Sequence, residues 1–578
     1  MKNHKYLSII LIMILFVGSC KQEPIIPGPA QPKILTPNTT IPTKGSADFA
    51  KFIAIGNSFV AGMQGGALFN DGQNNSLPAI MNKQFQLVGA PALFNQPSIK
   101  ATLGWNLFIS QPLLPTGLPP DFTKPVLGRL LLQYGANKVT CGTTTISPTP
   151  TPQAYAVGNL EALPNPTVNA AFPYGSNGSL KPQLNNFGIP AITLGQALTP
   201  LTGNWGGTTN PAFNPFYARL AFPGTGTATI LGLTPTTGDV AAAGGTFFMF
   251  WLGLDDFFLY AAFGGNNDLS TPASTRPPLT STAAFGGQYA AAMGNLLASN
   301  ANLKGVIANF PDIFAMPHFT AVSYKPIPLD AATASVVSTG FAGYNAVLSG
   351  LIANAAGFGI SSTLAAEIGT RKVNFSAKCD NSILITDETL TDLGPYFDIL
   401  AGIPPSSGGI TAPQRAALTP YQQVRQTTSA DIIPLATGAI LGTLINNDPT
   451  LVNGVSVPLG DRYALIPSEI TAINAARTAF NATVATTAAA NPVRLALADV
   501  DAALKSLVTG KVAVYNGVTI TPNINPPTGI YSEDGVHPNT RGYAFLSNVF
   551  IAAINEKFFA TIPLTDISLY QATGLPIP

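Results

Sequence analysis

The sequence predicts an α/β protein in which a doubly wound parallel sheet lies between two layers of helices, a three-layer α/β/α arrangement. Two observations predict it. Short apolar runs of strand length recur along the chain, and segments with helical periodicity lie between them. This alternation is typical of parallel sheets whose faces are covered by helices. Hydrophobic residues make up 46% of the 578 residues, which is enough for a substantial core.

Four runs have the features of buried parallel strands, because they are short, apolar and followed by glycine or a polar loop. They lie at residues 52–55, 247–252, 306–308 and 495–498. The first two end at Gly56 and Gly253, and the loops after the other two contain Asp312 and Asp499. Continuous apolar runs are expected where both faces of a strand are buried.

Helical periodicity indicates helices at about 285–298, 341–355, 468–488 and 540–557. In the third segment, one apolar face is formed by Ile470, Ile473, Phe480 and Val484. In the fourth, one apolar face is formed by Tyr543, Leu546, Phe550 and Ile554. Stripes of this kind pack a helix against a neighbouring element.

The sheet and its helices are expected to form one domain over residues 47–563, followed by a C-terminal tail at 564–578. Relative to this core, residues 64–180 and 320–465 are large, loop-rich insertions. The chain contains 55 Gly and 51 Pro residues, which predicts long loops. The first insertion includes the run CGTTTISPTPTP at 141–152, which we expect to contain no helix.

Residues 1–19 have the features of an export signal. Lys2 and Lys5 precede an apolar run of eleven residues, which is too short to span a bilayer as a helix. The signal ends in Val-Gly-Ser before Cys20, and this sequence resembles a bacterial lipobox. An ordinary signal peptide followed by an incidental cysteine is the alternative.

The lipobox resemblance implies that Cys20 carries a lipid and that residues 20–46 form a Pro-rich tether. Lys21 directly after the cysteine is similar to lipoproteins sent to an outer membrane. We therefore expect a protein anchored in the cell envelope through its N-terminal lipid. The sequence leaves open which leaflet holds it, and it leaves the oligomeric state open.

The composition excludes several functional classes. A formal net charge of +1 provides no basic field for nucleic acid. Three Cys and three His residues are too few for a Cys-rich zinc site or a His cluster. We therefore expect no metal, no cofactor and no nucleic-acid partner. Outside the cytoplasm Cys141 and Cys379 could form a disulfide, and two separately buried thiols are equally compatible with the sequence.

A candidate nucleophile follows the first strand, in the turn Gly56-Asn57-Ser58-Phe59. A serine in such a turn lies at the carboxyl edge of the sheet, where open α/β folds bind ligands. Glycine before the turn permits a tight change of chain direction. Glycine-containing turns after strands are common, so a purely structural turn is the alternative.

A candidate base lies near the C-terminus, in Asp534-Gly535-Val536-His537. The three-residue spacing can direct the Asp534 carboxylate at Nδ1 of His537, which leaves Nε2 to accept a proton from serine. A structural histidine before a helix is the alternative. His318 is the competing base, but no acidic residue lies at a useful spacing from it.

Together these segments resemble the SGNH hydrolases, also called the GDSL esterase/lipase family. The first block of that family matches the Ser58 turn, and its last block, Asp-x-x-His, matches Asp534 and His537. The Gly of the second block matches Gly188, and the Gly-x-Asn-Asp of the third block matches Gly253-Leu254-Asp255-Asp256. The blocks occur in family order. The resemblance implies a flavodoxin-like core.

Two positions depart from the family pattern. Asn57 replaces the Asp before the nucleophile, and Asp255 replaces the Asn whose amide donates to the oxyanion. An ionised carboxylate cannot donate a hydrogen bond. At about 4 Å and an effective dielectric of about 20, its charge would oppose the oxyanion by ~4 kcal/mol. Asp255 is therefore expected to be protonated, to turn away, or to weaken catalysis, whereas Asp256 is expected to be structural.

The resemblance implies a lipid-anchored serine hydrolase that cleaves small or polymeric carboxylic esters through an acyl-enzyme. Ser58 would attack, His537 would act as base and then acid, and Asp534 would orient it. The N–H groups of Ser58 and Gly188 would hold the oxyanion, with Asp255 as a doubtful third member. Two alternatives remain: a catalytically degenerate protein that binds glycan or lipid, and a purely structural lipoprotein. Neither a Gly-x-Ser-x-Gly elbow nor a phosphate-binding P-loop occurs in the sequence.

Overall fold

The structure is a computed structural model. It describes residues 41–99, 101–102, 104–106, 126–133, 139–141, 144–146, 151–157, 181–203, 214–218, 220, 229–265, 278–508, 513–515 and 517–572. The predicted export signal, Cys20 and most of the predicted tether lie outside the described residues.

A five-stranded parallel sheet forms the centre of the described chain. Its strands are β1 (Phe52–Gly56), β2 (Asn186–Gly188), β3 (Phe247–Trp251), β4 (Lys304–Ala308) and β5 (Leu495–Ala498). Their order across the sheet is β2-β1-β3-β4-β5, and every neighbouring pair is parallel. This is one of the common doubly wound orders, in which ligands bind at the carboxyl edge where the order reverses. The predicted α/β class is confirmed.

Helices connect the strands and form much of the two inserted regions. In chain order the helices of the described residues are α1 Ser58–Ala61, α2 Asn70–Asn74, α3 Leu77–Gln86, α4 Leu194–Leu198, α5 Pro215–Ala218, α6 Asp239–Ala243, α7 Asp255–Ala262, α8 Thr282–Ser299, α9 Pro317–Thr320, α10 Ala331–Ala353, α11 Ser362–Thr370, α12 Gly394–Ala401, α13 Ala412–Leu418, α14 Pro467–Ala490, α15 Val500–Val508 and α16 Thr540–Phe558. The four helices predicted from periodicity correspond to α8, α10, α14 and α16.

Helices cover both faces of the sheet, as the aromatic contacts of β3 show. Successive side chains of a strand point to opposite faces. Phe247 contacts Phe85 of α3 and Phe558 of α16, whereas Phe250 contacts Tyr289 of α8. Every residue of β1 and of β3 is buried for this reason. The apolar runs that predicted these strands are therefore a consequence of the two helical layers.

The edge strand β2 is absent from the sequence prediction. It has only three residues, Asn-Phe-Gly, and only one of them has a large apolar side chain. Its formation depends on pairing with β1, where Gly188 lies opposite Gly56. The buried side chain of Asn186 adds hydrogen bonds to Val60 O at 3.1 Å and to Gln96 Oε1 at 2.9 Å.

The second inserted region has a hydrophobic core of its own. It is formed by α10–α13 and by the antiparallel pair Leu384–Thr386 and Val424–Gln426. By length and composition alone α10 could cross a membrane, and one such helix is weak evidence for a span. One face of α10 is buried in this second core, through Phe341, Tyr344, Leu348 and Leu351.

Short two-stranded pairs complete the described chain. They are Ala67–Leu68 with Trp105–Asn106, Val126–Gln133 with Thr151–Val157, Val139–Cys141 with Thr144–Ile146, Leu444–Ile445 with Asp448–Val452, and Ala513–Tyr515 with Val518–Ile520. The described part of the run at 141–152 contains strand and no helix, as predicted.

Residues at both ends of the folded domain pack against α16 or the segment that follows it. The N–H of Ser46 donates to Phe558 O at 2.8 Å, and the N–H of Thr43 donates to Thr561 Oγ1 at 2.8 Å. In the predicted tail, Thr565 and Ile567 are buried, and the Thr565 N–H donates to Asn548 Oδ1. The folded domain therefore includes residues just outside the predicted limits of 47 and 563.

The structure joins Cys141 and Cys379 in a disulfide, which links the two inserted regions across a separation of 238 residues. The sequence leaves this pairing open, because separation along the chain carries no information on distance in space. A cross-link between distant residues stabilises chiefly by restricting the unfolded chain.

We expect Cys379→Ser to lower the free energy of unfolding of the oxidised protein by about 2–4 kcal/mol, because the long closed loop is released. Urea unfolding with and without a reductant measures this. The reductant should destabilise the wild type by a similar amount and leave the variant unchanged. A wild type indifferent to reductant would contradict the prediction.

Candidate active site

The candidate nucleophile Ser58 lies at the carboxyl edge of the sheet, in the first turn after β1. Asn57 precedes it and caps α1, because its Oδ1 accepts from the Phe59 N–H at 3.1 Å. Gly56 is required here, since a Cβ at this position would lie 2.6 Å from Trp251 O. Ser58 is 6% exposed, and the ring of Phe59 beside it packs at 5.1 Å from the His537 ring. The serine turn and the histidine turn are therefore neighbours in space.

Asp534 and His537 form a buried pair. His537 Nδ1 lies 2.7 Å from Asp534 Oδ2, as the three-residue spacing predicts. The other carboxylate oxygen, Oδ1, accepts from the N–H groups of Val536 and His537, both at 2.8 Å. The turn thus fixes the acid and the imidazole against each other. Nε2 is the ring nitrogen that this arrangement assigns to proton transfer.

Asp534 is also held by a segment from the N-terminal part of the chain, residues 63–66. The N–H of Gly66 donates to Asp534 Oδ2 at 2.5 Å, and the N–H of Gly65 donates to Ser532 Oγ at 2.9 Å. Tyr543 donates through its hydroxyl to Met63 O at 2.7 Å. Residues 63–66 follow directly after α1, so the same segment connects the nucleophile turn to the turn that carries the acid.

The pKa of the Asp534 carboxyl lies below its ordinary value. Burial alone would raise this pKa, but the charge of His537 and the hydrogen bonds from His537 and Val536 outweigh the burial. Asp534 is therefore ionised at neutral pH and can stabilise an imidazolium at His537.

His318, the competing base, lies beside this turn rather than far from it. The backbone N–H of His318 donates to Gly535 O at 3.0 Å, and the ring Nδ1 lies 3.2 Å from Asp534 O. Gly535 has a φ of +70°, and a Cβ there would lie 2.6 Å from the His318 nitrogen. Burial lowers the pKa of His318. His318 therefore braces the turn as a neutral ring, a role that the sequence does not reveal.

Gly188 lies beside the nucleophile turn, and its N–H is already engaged in a hydrogen bond. It donates to Asn186 Oδ1 at 2.9 Å. A Cβ on Gly188 would lie 2.3 Å from Ala61 N, so close packing against α1 explains the glycine. To bind an oxyanion, this N–H would first have to exchange its partner.

The loop after β2 contains a residue that sequence analysis missed. Ala191 has a φ of +53°, a conformation that is uncommon for residues other than glycine. Asn214 holds the loop by donating through Nδ2 to Pro190 O at 2.9 Å and to Ala191 O at 3.3 Å. Strained backbone at the carboxyl edge of a sheet is often associated with function. No side-chain chemistry marks Ala191, so no sequence signal points to it.

Asp255 and Asp256 begin α7 at the end of β3, and their roles differ. Asp256 accepts from the Leu194 N–H and from Thr280 Oγ1, both at 2.8 Å. It therefore joins α4 and α7, in agreement with the expected structural role. Burial raises the pKa of Asp256 to about 6.

Asp255 is 4% exposed, and its Oδ2 has no hydrogen-bond partner among the described residues. Burial raises the pKa of Asp255 well above its ordinary value, and the charge of Asp256 adds to the rise. The nearby Asn57 side chain and Ile192 backbone oppose this rise in pKa without reversing it. Burial therefore favours the neutral form of Asp255. Asn57 and Asp255, the two positions that depart from the family pattern, lie close to each other.

The aromatic residues near this edge belong to the core. Phe257 packs against Phe310 and Phe480, and Phe258 packs against Phe319. They give no support to a dedicated pocket for an apolar acyl group.

No protein-family model matches this chain, and neither a curated protein nor a solved structure matches it significantly.

We expect Asp534→Asn to lower the free energy of unfolding by about 3 kcal/mol at pH 7, because the amide cannot accept from all the donors around it. Urea unfolding measures the loss. Asp48→Asn is the matched control, since it breaks an exposed ion pair with Lys44 and should cost less than about 0.5 kcal/mol.

The wild type and Asp534→Asn also provide a test of the pH dependence. Because the folded-state pKa of Asp534 is lowered, its contribution is fully present above its ordinary pKa of about 4 and is lost as pH falls further. The stability difference between wild type and Asp534→Asn should therefore shrink in acid. A difference independent of pH would contradict the assignment.

Proposed function

We propose that this protein is a serine hydrolase of the SGNH type that cleaves carboxylic esters through an acyl-enzyme. The observation that carries the proposal is the buried Asp534–His537 pair, with its 2.7 Å contact, packed through His537 against Phe59 beside Ser58. An acid and an imidazole in contact, with a serine turn packed beside them at the carboxyl edge of a parallel sheet, are the components of a nucleophilic triad. The strand order β2-β1-β3-β4-β5 supports the flavodoxin-like core that the resemblance implies.

In the proposed reaction, His537 Nε2 takes the hydroxyl proton of Ser58 while Oγ attacks the ester carbonyl carbon. The tetrahedral intermediate collapses, the alcohol leaves with the proton from His537, and an acyl-serine remains. A water then gives a proton to His537 and attacks the acyl carbon. Release of the carboxylic acid returns the proton to Ser58. Asp534 stays ionised throughout and stabilises the imidazolium.

The oxyanion is proposed to be held by the Ser58 N–H, by Asp255 in its protonated form, and by a donor from the strand β2 or the loop after it. Gly188 serves only if its N–H leaves Asn186 Oδ1. The N–H of Ala191 is the other candidate, because the left-handed conformation of this residue is imposed at the edge where the oxyanion would form.

The envelope location rests on the sequence. The signal at residues 1–19 and the lipobox-like sequence ending at Cys20 support anchoring by an N-terminal lipid. We accordingly propose lipid esters or acylated glycans of the envelope as the substrate class. The N-terminal lipid would insert into a membrane, and no nucleic-acid partner is proposed.

A second candidate function is a degenerate SGNH-type protein that binds glycan or lipid without turnover. One observation favours it: Asp255, which matches the family's Asn in the sequence pattern, has a carboxyl group instead of an amide and is buried. The two candidates differ in whether Ser58 is activated, so a reagent that reacts only with an activated serine separates them.

A fluorophosphonate probe is expected to label the wild type, and Ser58→Ala should abolish labelling. His537→Gln should slow it at least about 10²-fold, because the general base is lost. Ser349→Ala is the matched control, since Ser349 is exposed on α10 and should label like the wild type. Absence of labelling in a folded wild type would favour the binding protein.

Asp255→Asn tests the oxyanion assignment through the pH profile of ester hydrolysis. If neutral Asp255 donates through its O–H, wild-type activity should fall as pH rises through its raised pKa, and the variant should lack that fall. Asp255→Leu should lose about 10²–10³ in rate at every pH, because it removes one of the three proposed oxyanion donors. If Asp255→Asn alters neither rate nor pH profile, Asp255 has no role in the oxyanion site.

A further inference from the structure

The chain after α16 forms a strap, residues 559–572, that runs back along this helix. Near the start of the strap, the Ile562 N–H donates to Oδ1 of Asn555, in the last turn of α16, at 2.9 Å. At the other end, Ala572 O accepts from Nδ2 of Asn539, the residue that caps the first turn of α16, at 2.9 Å. The strap therefore extends from the end of the helix to its beginning, close to the histidine turn.

The strap exposes large apolar side chains as well as burying them. Its buried residues, which fix it to the domain, are Ala560, Ile562, Thr565, Ile567 and Ala572. Three large apolar side chains are left in solvent: Phe559 is 85% exposed, Leu564 is 48% exposed and Leu569 is 79% exposed. Single exposed apolar residues are normal on a protein surface, whereas several in one short segment indicate an interaction surface.

Phe559 is unusual in two respects. Of the exposed large apolar side chains in the described part of the chain, it is the most exposed and the only aromatic one. Its φ is +54°, and it ends α16 in the left-handed conformation, a position that glycine usually occupies. A bulky residue in this conformation is an outlier. Because an exposed phenylalanine in an unfavourable conformation adds nothing to the core, it indicates a contact outside the protein.

The polypeptide enters the folded domain at the strap. The N–H of Thr43 donates to Thr561 Oγ1 at 2.8 Å, and the N–H of Thr561 donates to Thr43 O at 2.9 Å. The 23 residues from the predicted lipidation site at Cys20 to Thr43 can span at most about 80 Å when fully extended. A bilayer that holds this lipid would therefore always lie within that distance of the strap.

The charges of the strap exclude one mode of membrane binding. Asp566 is its only charged side chain. Exposed Lys44, beside the entry point, is paired with Asp48 at 3.1 Å. Proteins that bind anionic lipids by charge have clusters of Lys and Arg, which the strap lacks. The apolar side chains are therefore the groups through which it can bind a membrane.

We propose that the strap is a membrane-docking surface, and that Phe559, Leu564 and Leu569 insert at the boundary between the headgroups and the acyl chains of a bilayer. Phenylalanine and leucine are typical of surfaces that lie in this boundary. Removal of each apolar side chain from water favours binding. A modest contact is sufficient, because a tether keeps the two surfaces close together. Docking along the strap would also hold the histidine turn near the membrane surface.

The test uses the chain from Lys21, which contains every described residue and carries no lipid. Sedimentation with phosphatidylcholine vesicles should show binding that rises with lipid concentration. NaCl should not weaken it, and added phosphatidylglycerol should not strengthen it, because the strap has no positive charge. Phe559→Gly and Leu569→Ser should each lower the partition coefficient at least about 5-fold, since one large apolar side chain no longer leaves the water.

Phe559→Gly also separates docking from folding. Glycine adopts a positive φ without strain, so the thermal midpoint of this variant should equal or exceed that of the parent chain. Val336→Ala is the matched control, because Val336 is 73% exposed on α10, in the second inserted region. It should bind vesicles like the parent chain.

The proposal is overturned if the parent chain does not bind phosphatidylcholine vesicles, or if Phe559→Gly and Leu569→Ser bind as well as it does. It is also overturned if Val336→Ala weakens binding equally, or if binding requires phosphatidylglycerol and is abolished by NaCl, as an electrostatic surface would behave. None of these measurements depends on ester hydrolysis or on the lipid at Cys20. The docking surface and the proposed function can therefore fail separately.

Discussion

The buried carboxylate of Asp534 is the group on which the candidate site depends. A buried charge is tolerated only when donors surround it, and those donors come from both ends of the chain. His537 and Val536 supply three of them locally, the Ser532 hydroxyl donates at 3.3 Å, and Gly66 donates across 468 residues. The serine turn and the histidine turn can therefore form together only after β1 and the segment before α16 have met.

The parallel sheet makes that meeting possible. β1 lies between β2 and β3, and the change in strand order beside it opens the carboxyl edge. Gly56 pairs with Gly188 on one side and with Trp251 on the other. Gly56 and Gly188 have no side chains, so backbone packs directly against backbone at this point. The Ser58 turn, the loop after β2 and the start of α7 therefore converge on one small region.

Sequence reasoning succeeded where the signal is local or strongly periodic. The strands with continuous apolar runs and the long amphipathic helices were predictable, and so was the contact between Asp534 and His537, because it spans three residues. β2 was not, since it is short and depends on pairing with β1. The bracing by His318 and the conformation of Ala191 depend on proximity between distant segments. A single sequence contains no record of such proximity.

Asn57 and Asp255, the two positions that differ from the family pattern, are close in space and can be considered as a pair. The family has Asp before the nucleophile and Asn in the third block, and this chain has Asn57 and Asp255 instead. Asn57 Oδ1 accepts from the Phe59 N–H, and the Asn57 amide nitrogen has no hydrogen-bond partner among the described residues, so this nitrogen is the atom that could donate to Asp255. The exchange keeps one amide and one carboxyl in the pair. Under the proposed SGNH assignment, a carboxyl group whose donor capacity depends on protonation would take the place of a permanent amide donor, and the Asp255 position would be linked to pH.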